Sequence, residues 1–332
     1  MNVIKNPTTE KQVGAPRVAP VKIIIREIYS RFGMWIILLG MVIIMSLITR
    51  NFLSIANILN VIRQISFIAI IGFGSALVLI SGGIDLSPGA VVALVSVIAG
   101  SYAQGAYPVI VPVIIGLLIG LAVGMLNGFL ITRLHVPPFI VTLGLMTSAN
   151  GAAMQYSHGA SFSGLAPGFT FLGIGRFIGI PVPIIIMFIL AGGVYLLLNH
   201  TVFGRQLAAV GSNEQAAKIA GVKTRRVTFS VYAIAGVLSA IAGLLMTARI
   251  DLGLPTLGAG YEFNAISAAV IGGVSLKGGE GSIWSVLCGA LIIGVIINGM
   301  DLVGVNAYWQ QLVRGVIIVL AIILDQFKNA PD

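Results

Sequence analysis

The side chains suited to acid–base or metal chemistry are few and scattered. The acids are Glu10, Glu27, Asp85, Glu214, Asp251, Glu262, Glu280, Asp301, Asp325 and Asp332, and nearly all fall in tails or breaks between apolar runs. That placement argues against a carboxylate relay of the kind that carries protons through a membrane. His135, His158 and His200 are far apart, and the single cysteine, Cys288, sits in an apolar stretch, so neither a local metal motif nor a disulfide framework is supported. There is no G-x-x-x-x-G-K-[ST] phosphate loop. What remains is hydrogen bonding without fixed charge. Gln64, Asn127, Asn150, Gln155, Asn298, Gln310 and Gln311 lie within apolar segments. Such amides either line a path that binds and releases a neutral polar solute or tie one helix to another. Arg314 follows Gln310 by four residues and Gln311 by three, so the three share a helical face. That face points away from lipid, or the arginine reaches the outer headgroups.

The elements that must position these groups are legible in the composition. The chain is 58% hydrophobic and 9% charged, against about 25% charged in a soluble domain. Apolar windows recur at the length needed to cross a hydrocarbon layer of about 30 Å. The expected fold class is all-α, a polytopic membrane protein with about ten transmembrane helices. These fall near 34–50, 64–81, 88–104, 110–131, 138–157, 181–199, 227–247, 263–276, 283–300 and 309–326. Residues 1–33 read as a cytoplasmic tail, 34–326 as the membrane domain and 327–332 as a second cytoplasmic tail. With the N-terminus inside, fourteen of the nineteen Lys/Arg lie on the inner side. Arg50, Arg63, Arg176 and Arg249 fall in outer loops. This asymmetry sets the orientation, and anionic inner-leaflet lipid accounts for the net charge of +9 without nucleic acid.

Three local patterns stand out. Gly116, Gly120, Gly124 and Gly128 repeat every fourth residue and make a stripe for close helix packing, with Asn127 beside it. "GGIDLSPG" (82–89) and "GGVSLKGG" (272–279) share a glycine-rich pattern of the kind that marks corresponding breaks in transporters. In the first, Ser87 is an expected N-cap, Pro88 an N1 residue and Asp85 a carboxylate favoured by the helix start; a gating role for Asp85 is the alternative. The third pattern is the basic loop 200–226, which encodes a short helix at 213–220. Ser212 is the expected cap with Gln215 reaching back, Gly221 the left-handed terminator, and Glu214 precedes Lys218 by one turn. Ala216, Ala217 and Ala220 give it a small-residue face for a partner's groove, unless the loop serves only to fix topology.

"NEQAAKIAG" resembles the Glu-Ala-Ala loop of ABC importer permeases. "SGGIDLSPGA", "NGFLITRLHVPPFIVTLG", "AISAAVIGGVSLKGGEGS" and "INGMDLVGVNAYWQQLVRGVIIVLA" are similar to the branch that imports ribose, xylose, galactose and related sugars. Similar permeases commonly carry an acid followed by Leu-Asp where this chain reads Glu262-Phe263-Asn264, and an aliphatic residue at Pro88. The resemblance implies the ABC importer permease fold in a bacterial inner membrane, with both termini cytoplasmic. It implies a second permease copy, most simply as a homodimer, cytoplasmic ATPase subunits that bind ATP and Mg, and an outer sugar-binding protein. The chain itself is then no enzyme and holds no cofactor. Ser212, Glu214, Ala216, Ala217, Lys218, Gly221 and Arg225 would form the ATPase-coupling segment. Read from the residues themselves, Asp85, Arg314 and the intramembrane amides are the path or gate candidates for a monosaccharide or related polyol. A gradient-driven secondary transporter or channel for a small polar solute is the rival reading.

Overall fold

The computed structural model describes the backbone of residues 21–105 and 107–328; the side chains of 21–33 and of several α13 residues, Arg314 among them, lie outside the described residues. The helices of the first half are α1 (Val21–Ile48), α2 (Ile55–Ile80), α3 (Pro88–Ala103), α4 (Ile110–Leu134), α5 (Pro138–Ser157), α6 (Pro167–Ile174) and α7 (Val182–His200). Then come α8 (Val202–Ser212), α9 (Glu214–Ile219), α10 (Thr224–Ile250), α11 (Tyr261–Ile271), α12 (Ile283–Val303) and α13 (Ala307–Lys328). Two-residue strands β1 (Phe162–Ser163) and β4 (Leu252–Gly253) pair antiparallel, as do β2 (Arg176–Phe177) and β3 (Ile180–Pro181). Among the described residues α2, α4, α7, α10 and α12 are long and apolar enough to cross a membrane.

Several boundaries differ from expectation. Ser54 caps α2 by accepting from the Asn57 amide at 3.3 Å, so α2 starts nine residues before the expected 64 and takes in Arg63. α10 runs to Ile250, where Asp251 closes it in the left-handed conformation at φ 56°, so Arg249 belongs to the helix and not to an outer loop. α1 begins at Val21, inside the segment read as a tail. The expected span at 263–276 is an eleven-residue helix, about 16 Å long, which covers half the hydrocarbon layer. It stops because Gly273, at φ 85°, lets its own N–H reach Val270 O and that of Val274 reach Ala269 O.

The core gathers around α2, which is apolar and buried on nearly all sides, with α10, α11, α12 and α7 around it. α4 and α7 bury one stripe and leave most of their apolar surface outward. The expected glycine stripe is the seam between α4 and α10. A Cβ at Gly120 would overlap the Gly236 carbonyl, one at Gly236 would overlap the Gly120 carbonyl, and one at Gly124 would overlap the Tyr232 carbonyl. Gly128 faces the Phe229 carbonyl, 3.0 Å from where a Cβ would stand. Backbones touch because no side chain separates them. Gly120→Val should therefore cost at least the roughly 1–3 kcal/mol of overpacking. Its monodisperse yield and melting temperature in detergent should fall, whereas Gly192→Ala, at an α7 position with nothing within 4 Å, should match the parent.

Candidate functional site

The segment between α7 and α10 folds as two short helices in series. Asn213 adopts an extended backbone (φ −162°, ψ 101°) that separates α8 from α9, and its Oδ1 accepts from the Ala216 amide at 2.9 Å. Asn213, not Ser212, is therefore the cap. Ser212 stays helical as the last residue of α8, and its hydroxyl donates to Ala208 O at 2.9 Å. At the other end Gly221 takes φ 86°, its N–H donates to Lys218 O and the Val222 N–H donates to Ala217 O. This pair of bonds closes the helix as expected. Six residues cannot hold a helix in water. Ala217 anchors it by turning into the core, so the expected small-residue face is split. Ala216, Ala220, Glu214 and Lys218 remain exposed, and Ile219 is 89% exposed at the apex.

α8 ties this projection to both glycine breaks. Gly211 packs against the Ile80 carbonyl at the end of α2, and the Gly279 N–H donates to that same carbonyl at 2.9 Å. Gly278 and Gly279 hold φ of 88° and 83°, and a Cβ at Gly278 would stand 2.7 Å from Gly211 O. Two stretches about 190 residues apart in sequence thus meet on one turn of α8. They also end their helices alike. After α2, the Gly82 N–H donates to Leu79 O and the Gly83 N–H to Val78 O, the same pair of bonds that closes α11.

Beyond Gly83 the chain turns inward. Asp85 is 4% exposed, and its Oδ1 accepts from the Ser87 amide at 2.8 Å and from the Ser87 hydroxyl at 2.6 Å. The Ser87 hydroxyl in turn accepts from Asn127 Nδ2 at 2.9 Å. Pro88 does open α3, but the Ser87 hydroxyl makes no capping bond because Asp85 and Asn127 occupy it. The acid therefore sits in the break between α2 and α3, as expected, and is buried there. Asp85 and Asn127 are joined through one hydroxyl, and Asn127 Oδ1 has no hydrogen-bond partner.

The other candidate amides divide. Asn298 exchanges two hydrogen bonds with Asn57, at 3.0 and 2.9 Å, and so ties α12 to α2. Gln310 donates to Asp301 Oδ1 at 2.8 Å and to Val305 O at 2.9 Å, tying α13 to the end of α12. In this chain both amides act as ties between helices. Asn150 and Gln155 are exposed on α5, whose Gly144, Ser148 and Gly151 also stand open, with nothing within 4 Å of either glycine. Gln64 is half-buried and Gln311 exposed; the Arg314 side chain lies outside the described residues.

Two features were missed at the level of sequence. Arg249 Nη2 donates to Asn60 Oδ1 at 3.1 Å and its guanidinium lies 5.5 Å from the centre of the Phe67 ring, while Arg63 Nε is buried without a partner. Span length hid these arginines by putting both in loops. Glu262, 6% exposed in the first turn of α11, accepts from the Gly260 amide at 3.2 Å, and its other oxygen packs where Gly89 lacks a side chain. The glycine after "SP" was the available signal.

Residues 57–322 match the family described as branched-chain amino acid transport system / permease component. The ribose import permease protein RbsC of Bacillus subtilis is 45% identical over 306 residues, 91% of this chain and 95% of that protein. RbsC of Escherichia coli K12 is 38% identical over 298 residues, 89% and 93% of the two chains. The L-arabinose transport system permease protein AraH of Escherichia coli K12 is 36% identical over 306 residues, 91% and 92%. No solved structure matches. With four-fifths of its length matched and relatives this similar end to end, the chain belongs to the transport-system permease family.

Proposed function

We propose that this chain is the transmembrane permease of an ATP-driven, binding-protein-dependent importer that moves a monosaccharide, pentose or hexose, or a related polyol across the cytoplasmic membrane. Relatives named for ribose and arabinose import support the substrate class. The observation that carries the mechanism is α9, a capped helix that projects Ile219 outward while α8 is seated on both glycine breaks. A cytoplasmic ATPase subunit, which would bind the ATP and Mg, takes that projection in a groove. Its closure displaces α8. The displacement reaches the end of α2 through the Gly211–Ile80 contact and the start of α12 through the Gly278–Gly279 loop, so both breaks move together.

Two copies of the permease enclose the path, and both chain ends are cytoplasmic. The open face of α5, with Gly144, Ser148, Gly151 and Gln155 at helical spacing, is suited to line it. Hydroxyls and amides hydrogen-bond a sugar without the fixed charge that would hold it. A binding protein on the outer side delivers the solute. In this reading Asp85 positions the start of α3 against α4 through Ser87 and Asn127.

The discriminating experiment is uptake by reconstituted vesicles. Sugar should enter only when ATPase, ATP and binding protein are all present; uptake by this chain alone on a solute or ion gradient would establish the rival secondary transporter. Glu214→Ala combined with Gly221→Leu removes a contact and forces about 1–2 kcal/mol of left-handed strain at the helix end. Co-purification of the ATPase and uptake should both drop several-fold, and unchanged values for both would refute coupling through α9. Asp85→Asn keeps an acceptor at Oδ1 and should retain most uptake, whereas Asp85→Leu abandons buried donors at about 1–3 kcal/mol and should lose both uptake and thermal stability. A folded Asp85→Asn protein without uptake would instead make the charge itself part of the gate.

A further inference from the structure

Beside α9 lies a concavity of about 1120 Å³, bounded by the last turns of α4, by α9 and by the first turns of α10. Arg133, Lys218, Lys223, Arg225 and Arg226 line it, against a single carboxylate, Glu214. Arg225 Nη2 lies 3.1 Å from His135 Nε2, so the two side chains meet at the rim of this hollow. The positive end of the 27-residue α10 opens into the same space and reinforces the bias toward an anion. Inner-face Lys/Arg enrichment explains five cations on this side of the membrane. It does not explain why they converge on one hollow.

The far wall is apolar. Phe129 and Phe229 line it, and Gly128 lets the Phe229 backbone approach α4 closely enough to close that side. Phe129 is half-exposed, and Met125, one turn further along α4, is exposed on the same face. Apolar surface therefore continues from the charged hollow along α4 through Phe129 and Met125. A ligand that satisfies both halves has an anionic head and a hydrocarbon tail.

We infer that this groove binds an anionic phospholipid of the inner leaflet, with its phosphodiester among Arg133, Arg225 and Arg226 and an acyl chain along Phe129. Basic hollows between helices at the cytoplasmic level are suited to such headgroups. An acidic patch on the ATPase would meet the cations but would leave the phenylalanine strip bare, and Ile219 at the apex of α9 is not among the residues that line the groove. From the proposed function the inference takes only the placement of α9 at the cytoplasmic face. Its consequence is that bound lipid would brace α9 against α4 and α10 and make coupling depend on leaflet composition.

The test is titration of the delipidated, full-length permease with phosphatidylglycerol, with phosphatidylcholine and with inorganic phosphate, read by native mass spectrometry. Phosphatidylglycerol should bind as a defined adduct, phosphatidylcholine should bind far more weakly, and phosphate should fail to displace the lipid. Arg133→Gln and Arg226→Gln should each weaken that adduct about fivefold, the worth of one cation at a charged surface, while Arg133→Lys retains it. Phe129→Asn should weaken it with every cation in place. Equal binding of both lipids, full displacement by phosphate, or unchanged binding by the folded arginine variants would overturn the inference. So would variants that lose ATPase association while their lipid adducts persist, since the groove would then belong to the ATPase. A permease that binds phosphatidylglycerol but imports nothing would refute the transport reading and leave this one standing.

Discussion

Backbone meets backbone where α4 crosses α10, and the rest of the architecture hangs from that contact. Gly120 and Gly124 on one helix face Gly236 and the Tyr232 carbonyl on the other with no side chain between. At that separation α4 brings Asn127 to Ser87, which orients the start of α3. α10 brings Tyr232 to the first glycine break, where its hydroxyl donates to Ile84 O at 3.4 Å and fills the space that Gly83 leaves empty. A wider crossing would leave buried polar groups without partners, and in hydrocarbon no water replaces them.

The two breaks show how a shared sequence pattern can conceal a shifted structure. Both close the preceding helix with the same pair of backbone bonds, yet the left-handed residue is the first glycine in Gly82-Gly83 and the second in Gly272-Gly273. The chain then diverges, to a buried carboxylate and a proline-led helix in one case and to a tight glycine turn in the other. What unites them is α8, whose Gly211 touches the products of both.

How much of this was legible depends on whether a residue's role is local. The glycine stripe announced a close contact because a four-residue period defines a helix face, but nothing in it named Gly236 as the opposing residue. Gly221 was readable because a left-handed terminator favours glycine. The cap at the other end of α9 is Asn213 and not the expected Ser212, since both residue types cap well and only the length of α8 decides between them. Arg63 and Arg249 were put in loops because a span of average length excludes them; Ser54 and Asp251 extend the helices past them. The amides were the least legible. Whether Asn298 meets a sugar or Asn57 depends on a fold that no local spacing encodes.

The exchange between Asn57 and Asn298 joins residues 241 positions apart. At a synthesis rate of about 5–20 residues per second, α2 waits tens of seconds before α12 exists to receive it. During that interval Asn57 Nδ2 keeps its local bond to Phe52 O at 2.9 Å but has no partner on α12, and the rest of the amide is left to water or headgroups at the membrane edge. The pair can close only when α12 arrives, so this tie between α2 and α12 is among the late contacts of the fold. A chain that stops short of α12 leaves that side of the Asn57 amide without its native partner.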